Sequence, residues 1–176
     1  INSKFNKTAL FKLDGKYWGQ SFVPSKGLTK QECEEIADKG YGNKKEWCGY
    51  WEAENGKLDY WISAVKQCGG INKLPTLSDL AKLTDYLYDL EFGTIGKNEY
   101  VSNSQRDNCN VINGLERNDS KVTQIGLPIK SAIIIWANTE QSASKSSQRE
   151  FHQFFSGYLT GSGRWDTSPL GVCISE

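Results

Sequence analysis

The sequence predicts an α+β fold, with two helices, short antiparallel strands and long loops. Three observations predict it. Apolar residues recur at helical spacing in two stretches of the first half, around residues 58–68 and 77–90. Short apolar runs bounded by Gly, Asn and Ser follow residue 130. Strands and helices do not alternate, so no parallel sheet is indicated. The 176 residues, 38% of them hydrophobic, suit one domain spanning 1–176.

The elements follow in chain order. Residues 5–23 read as strands: Leu10, Phe11 and Leu13 lead into Asp14-Gly15, a hairpin turn pair, and Tyr17 and Trp18 follow. Residues 24–57 are polar and Gly-rich, with Thr29-Lys30-Gln31-Glu32 resembling a short capped helix. Leu58 to Gln67 reads as a helix, with Trp61, Ile62, Val65 and Cys68 at helical spacing and Gly69-Gly70 as its stop. Thr76 is the expected N-cap of a second helix, with Asp79 in its first turn and Leu77, Leu80, Leu83, Leu87 and Leu90 as its stripe. No helical pattern persists from residue 93 onward. Residues 102–121 read as a long surface loop, Ile133 to Trp136 as a strand buried on both faces, and 138–149 as a Ser-, Gln- and Lys-rich loop. Phe151 to Tyr158 reads as a strand, 159–168 as a Gly-rich turn region, and Gly171 to Ser175 as a last strand.

Composition excludes several functions. The net charge is zero, so the basic face that nucleic acid requires is not indicated. The longest apolar run, Ala132 to Ala137, is too short to cross a bilayer, and no membrane contact by this segment is expected. A chain without Met that begins at Ile1 is expected to be a mature product or an excised fragment. Cysteines stand at 33, 48, 68, 109 and 173, with no CxxC pair, and His152 is the single histidine. That pattern speaks against zinc and for disulfides, hence for an extracellular or cell-surface location.

Two stretches carry a family resemblance. One is the helix ending in Cys68, then Gly69-Gly70 and Leu74-Pro75-Thr76 with Leu80 downstream. The other is Ile135-Trp136-Ala137-Asn138-Thr139-Glu140, with a closing Gly171-Val172-Cys173-Ile174-Ser175-Glu176. In order and spacing they resemble bacterial C-type-lectin-like domains, and also the variable proteins of diversity-generating retroelements. The resemblance covers roughly residues 58–176; residues 1–57 form an N-terminal hairpin and polar loop region outside it. It implies a C-type-lectin-like fold in which a disulfide ties the end of the core helix to the last strand, here Cys68 to Cys173. Cys33 is paired with Cys48 by proximity, leaving Cys109 free.

Catalytic and metal chemistry is not indicated. The prolines stand in Val-Pro-Ser, Leu-Pro-Thr, Leu-Pro-Ile and Ser-Pro-Leu, which lack the Glu-Pro-Asn or Gln-Pro-Asp of calcium-dependent lectins. Asn138 and Glu140 supply two oxygens, too few for calcium, and Trp136 is expected in the core. Cys109 breaks the EF-hand spacing of the stretch 107–119. A triad has only His152 to draw on, and no Gly-x-Ser-x-Gly elbow exists. The formylglycine-generating enzymes share the broad fold, but their cysteine-pair motif is not seen. Gly93-Thr94-Ile95-Gly96-Lys97-Asn98 lacks phosphate-loop spacing and reads as a turn. Trp18, Trp47, Trp51 and Trp61 read as core and loop cover rather than a sugar-stacking platform. No enzyme activity, cofactor or metal is expected.

A binding surface is expected at residues 151–168. Lysine occurs 17 times, yet never after Lys145. The window holds Phe151, His152, Phe154, Phe155, Tyr158, Leu159, Thr160, Arg164, Asp166 and Thr167 among Gly and Ser. Aromatics beside His, Arg and Asp on small spacers make a paratope-like mixture. Retroelement diversification, as the resemblance implies, mutates adenines. An AAC codon then reaches every residue type except Lys, Glu, Gln, Met and Trp. Those five make up 43 of the 176 residues, so about five are expected in the twenty positions 151–170; only Gln153 and Trp165 occur there. The surface reading expects Phe151, His152, Tyr158, Arg164 and Asp166 to share one exposed face. It makes the protein a displayed module for a protein or glycan ligand. A second reading makes it a pilin-like structural or adhesive head that self-assembles with copies of itself.

Overall fold

A computed structural model describes residues 10–24, 26–48, 58–94, 115–129, 133–140, 148–153, 158–163, 167 and 169–176. The architecture is α+β. Strands β1 (Phe11–Leu13) and β2 (Lys16–Trp18) form a hairpin in which Leu13 pairs with Lys16. Its turn needs left-handed backbone at both central positions, and Asp14 (φ 47°) and Gly15 (φ 83°) supply it. The turn is fixed to the long helix below by two ion pairs, Lys82 with Asp14 and Lys16 with Asp79.

Three helices occupy the middle of the chain, each started by a side-chain cap. Helix α1 spans Lys30–Asp38. Thr29 Oγ1 accepts the Glu32 N–H at 3.2 Å and Glu32 Oε1 accepts the Thr29 N–H at 3.2 Å. Helix α2 spans Tyr60–Cys68, and Asp59 Oδ1 accepts the Ile62 N–H at 2.9 Å. Gly69 ends it at φ 95°, with the Gly70 N–H turned back to the Val65 carbonyl. Helix α3 spans Leu77–Leu87 behind a capping box of Thr76 and Asp79. Each such cap contributes about 1 kcal/mol. Sequence expected two helices; the described residues contain four α-helices. Thr29 does cap a helix, but a nine-residue one, and α4 (Asp119–Gln124) lies partly inside the expected surface loop 102–121.

Helix α4 was illegible because six residues carry no periodic stripe. Tertiary contacts hold it instead. Asn118 caps it, Val122 is buried, and the Asn118 N–H reaches the Leu87 carbonyl at 2.7 Å. Lys121 pairs with Asp89, donates to the Tyr86 carbonyl and sits 4.3 Å over the Tyr86 ring.

Strand β3 (Ile134–Glu140) is the wall shared by two apolar clusters. Ile135 and Ala137 join Leu80, Leu83 and Leu87 of α3 with Trp18, Val172 and Ile174. Trp136, on the alternate side, joins Trp61, Ile62 and Val65 of α2 with Cys33 and Ile36 of α1. The expected strand buried on both faces is therefore present, and it runs on to Glu140. Strands β4 (Gln148–Gln153) and β5 (Tyr158–Gly163) follow in the sheet order β3-β4-β5. This corrects three expectations. The expected loop 138–149 begins and ends in strand, the expected strand Phe151–Tyr158 spans the end of one strand and the start of another, and the Gly-rich 159–168 begins with most of β5. Gly and Ser disguised β5, whose order comes from its backbone ladder.

The chain ends in a strap that joins the two sheets. Leu170 exchanges hydrogen bonds with Ile134 and Trp136 of β3 (2.8 and 3.0 Å). Gly171 exchanges two with Phe22 (2.7 and 2.9 Å), and β6 (Ile174–Ser175) pairs with β2. Disulfides Cys33–Cys48 and Cys68–Cys173 are both formed, with Cα–Cα distances of 5.8 and 5.3 Å. Cys109 lies outside the described residues. Among the described residues no helix is long and apolar enough to cross a membrane.

Charge placement predicts how stability varies with pH. Hydrogen bonding to Lys121, then to Asn118, holds the Asp89 carboxyl below its ordinary range, and the Thr29 N–H does the same for Glu32. Groups with depressed values stabilise the fold above the unfolded carboxylate range, near pH 4, and that contribution is lost as pH falls through the folded values. Burial raises the Tyr88 phenol, so its contribution is complete below about pH 10 and is lost as pH rises further. These three groups should therefore lower denaturation midpoints as pH falls below about 4 and as it rises above about 10. In Asp89→Asn the acid limb should be shallower; an unchanged acid limb would remove Asp89 from this account.

Candidate functional site

The expected binding window falls on the β4–β5 hairpin. Register places Phe151 opposite Trp136 on one side and Thr160 on the other. His152 stands between Ile135 and Leu159, and Gln153 stands between Ile134 and Tyr158. Five of the ten predicted residues are thus on neighbouring rungs of one ladder: Phe151, His152, Tyr158, Leu159 and Thr160. Thr167 is exposed just before the strap. Phe154, Phe155, Arg164 and Asp166 lie outside the described residues.

The ladder also sorts these positions. Successive strand residues alternate between faces, and residues directly opposite share one. Phe151, Tyr158 and Thr160 therefore belong to the row of Trp136 and Ile134. His152 and Leu159 belong to the row of Ile135. The expected single face does not hold for Phe151 and His152, because consecutive strand residues cannot share a face. Extending the rows adds Arg149 and Ser162, paired with each other, to the row of Phe151. Sequence missed Arg149 because the Ser- and Lys-rich stretch before it masked the start of β4.

Hydrogen bonds tie β3, the strand next to the hairpin, to the rest of the fold. Trp61 Nε1 donates to the Ala137 carbonyl at 2.8 Å, joining α2 to β3. The Asn138 N–H donates to the Pro75 carbonyl at 2.9 Å, joining β3 to the segment before α3. The strap holds the opposite edge of β3 through Leu170.

Other candidate residues have structural work. Trp18, Trp61 and Trp136 are all at most 1% exposed, so none offers a stacking face to a sugar. In the backbone register Glu140 stands opposite Arg149, past a shift after Trp136. Asn118, in the sequon Asn118-Asp119-Ser120, spends its side chain on the cap: Oδ1 accepts the Lys121 N–H and Nδ2 donates to Asp89. Gly93 and Thr94 are in a turn closed by Thr94 Oγ1 to the Glu91 carbonyl (2.6 Å), as expected of that segment. Residues 1–9 with the sequon Asn6-Lys7-Thr8, Trp51, and 95–98 lie outside the described residues, as does Cys109. Among the described residues no group of three or more His, Cys, Asp or Glu side chains is placed to hold a metal ion. Comparison with known protein families, with curated proteins and with solved structures finds no match to this chain.

Proposed function

We propose that the chain is a surface-displayed ligand-binding module of C-type-lectin-like fold, with the β4–β5 hairpin as a variable binding element for a protein or glycan ligand. One observation carries the reading. Five of the ten residues that sequence composition singles out sit on adjacent rungs of a hairpin attached to a strand fixed on both faces. A rigid wall with a separate outer hairpin is the division of labour that a diversified binder needs. Two further features support the fold and the location. A helix ending in Cys68 is bridged to Cys173, directly before the last strand, close to what the resemblance implies, and two disulfides suit an oxidising compartment. Retroelement diversification accounts for the depletion of Lys, Glu, Gln, Met and Trp in the window.

The register narrows the surface. A single face of the hairpin meets the ligand, so one row varies and the other packs. Two libraries test this, one randomised at Phe151, Tyr158 and Thr160, the other at His152 and Leu159. Each is sorted for protease resistance, then for binding to panels of proteins and glycans. One library should keep most members folded and yield binders, while the other loses most of its folded members. Loss of fold in both libraries would end the proposal. Sequencing of related loci gives an independent check: substitutions should concentrate within 151–168, and an even spread along the chain would remove the case for diversification.

A further inference from the structure

We infer that Cys68–Cys173 is a reducible latch on the C-terminal strap, while Cys33–Cys48 is a closed structural bond. The two bridges differ in access. Cys33 and Cys48 are 0% and 5% exposed. Cys33 lies in the α1–α2 cluster with Trp61, and the Asn43 Nδ2 donates to its carbonyl at 3.3 Å. Cys68 and Cys173 are both half-buried: Cys68 ends α2 and packs against the edge of that cluster, and Cys173 directly precedes β6. Thiol–disulfide exchange requires an attacking thiolate to approach a sulfur along the S–S axis, so access sets which bridge reacts in the folded protein.

The step is a two-electron reduction by a dithiol. One thiolate of the reagent attacks a sulfur of the bridge, breaking the Cys68–Cys173 bond and forming a mixed disulfide. The second thiol then attacks that mixed disulfide and leaves as the oxidised cyclic reagent. Two protein thiols remain, and the protein has gained two electrons and two protons.

Opening this bridge acts on a segment that joins β3, the chain after β2 and the main apolar cluster. The strap carries Leu170, hydrogen-bonded to β3, Gly171, hydrogen-bonded to Phe22, and Cys173, whose carbonyl accepts the Gly19 N–H at 2.9 Å. Its apolar residues Leu170, Val172 and Ile174 are buried in the main cluster. The opened chain therefore stays folded but loses the covalent tie between α2 and the strap. The effect reaches β3, and so the strand from which the β4–β5 hairpin continues. This inference does not depend on what the hairpin binds.

The test is a graded dithiothreitol titration of the native protein. Accessible free thiols are first blocked with unlabelled iodoacetamide, and newly released thiols are then trapped with a labelled form and mapped by mass spectrometry. Cys68 and Cys173 should be labelled together at a reductant level that leaves Cys33–Cys48 intact. The melting temperature of that species should be lower by about 10 °C. Amide exchange at Trp136, Leu170 and Gly171 should accelerate relative to α1. A Cys68→Ala/Cys173→Ala variant should match the partly reduced protein and be unresponsive to the same dithiol level. Release of Cys33 and Cys48 first, or of all four cysteines in one step, would overturn the assignment. Should the double variant fail to fold, the labelling order in the native protein still decides.

Discussion

Replacing Trp61 with Ala should cost about 3–5 kcal/mol, among the largest losses available to a single substitution here. The side chain is fully buried, and it sits where α1, α2 and β3 meet. Two separable effects add. Loss of the indole leaves a cavity in a cluster that includes Trp136, Ile62 and the Cys33–Cys48 bridge. Loss of Nε1 strips the Ala137 carbonyl of a donor 2.8 Å away, inside the protein, where an unmade hydrogen bond costs about 1–3 kcal/mol. Trp61→Phe separates them, since it keeps most of the ring volume and removes the donor. It should lose less than the Ala variant, by about half. Denaturant midpoints of the two variants provide the check. An Ala variant within 1 kcal/mol of the parent would mean that α2 and β3 are not joined through this residue.

Legibility in the sequence followed local chemistry. The helices announced themselves where caps and stripes coincide: Thr29 with Glu32, Thr76 with Asp79, and Gly69-Gly70 as a stop. The turn Asp14-Gly15 was equally plain, because few residue pairs tolerate left-handed backbone at both positions. The cap of α2 was missed. Asp59 directly precedes Tyr60, yet the apolar Leu58 suggested an earlier start. The N-terminal edge of β4 and most of β5 were not legible either. Their residues are polar or small, and their pairing is a long-range backbone property that no local pattern encodes. The Cys68–Cys173 pairing came from the resemblance alone, since spacing does not choose among the ways of joining five cysteines. As for the site, composition pointed to a window, and the register then divided it into two rows that composition did not distinguish.

Removing the bridges one at a time should cost unequal amounts. Cys68 and Cys173 are 105 residues apart in sequence, Cys33 and Cys48 only 15. Cross-linking restricts the unfolded chain, and the restriction grows with the logarithm of the loop length. The long loop therefore contributes about 4.7 kcal/mol and the short one about 3 kcal/mol. Alanine replaces each pair better than serine, because a hydroxyl at the fully buried Cys33 site would add a desolvation penalty to the short-loop variant. Lost packing works in the other direction: Cys33 and Cys48 are buried, while Cys68 and Cys173 are half-buried. That narrows the gap between the variants to about 1 kcal/mol. Equilibrium denaturation of Cys68→Ala/Cys173→Ala and of Cys33→Ala/Cys48→Ala should therefore give the long-loop variant the lower midpoint. It should also give it the larger m-value, because its unfolded chain is released from a loop covering more than half the molecule. If the short-loop variant is the less stable of the two, packing around Cys33 outweighs loop entropy, and α1 owes more to its bridge than the strap does.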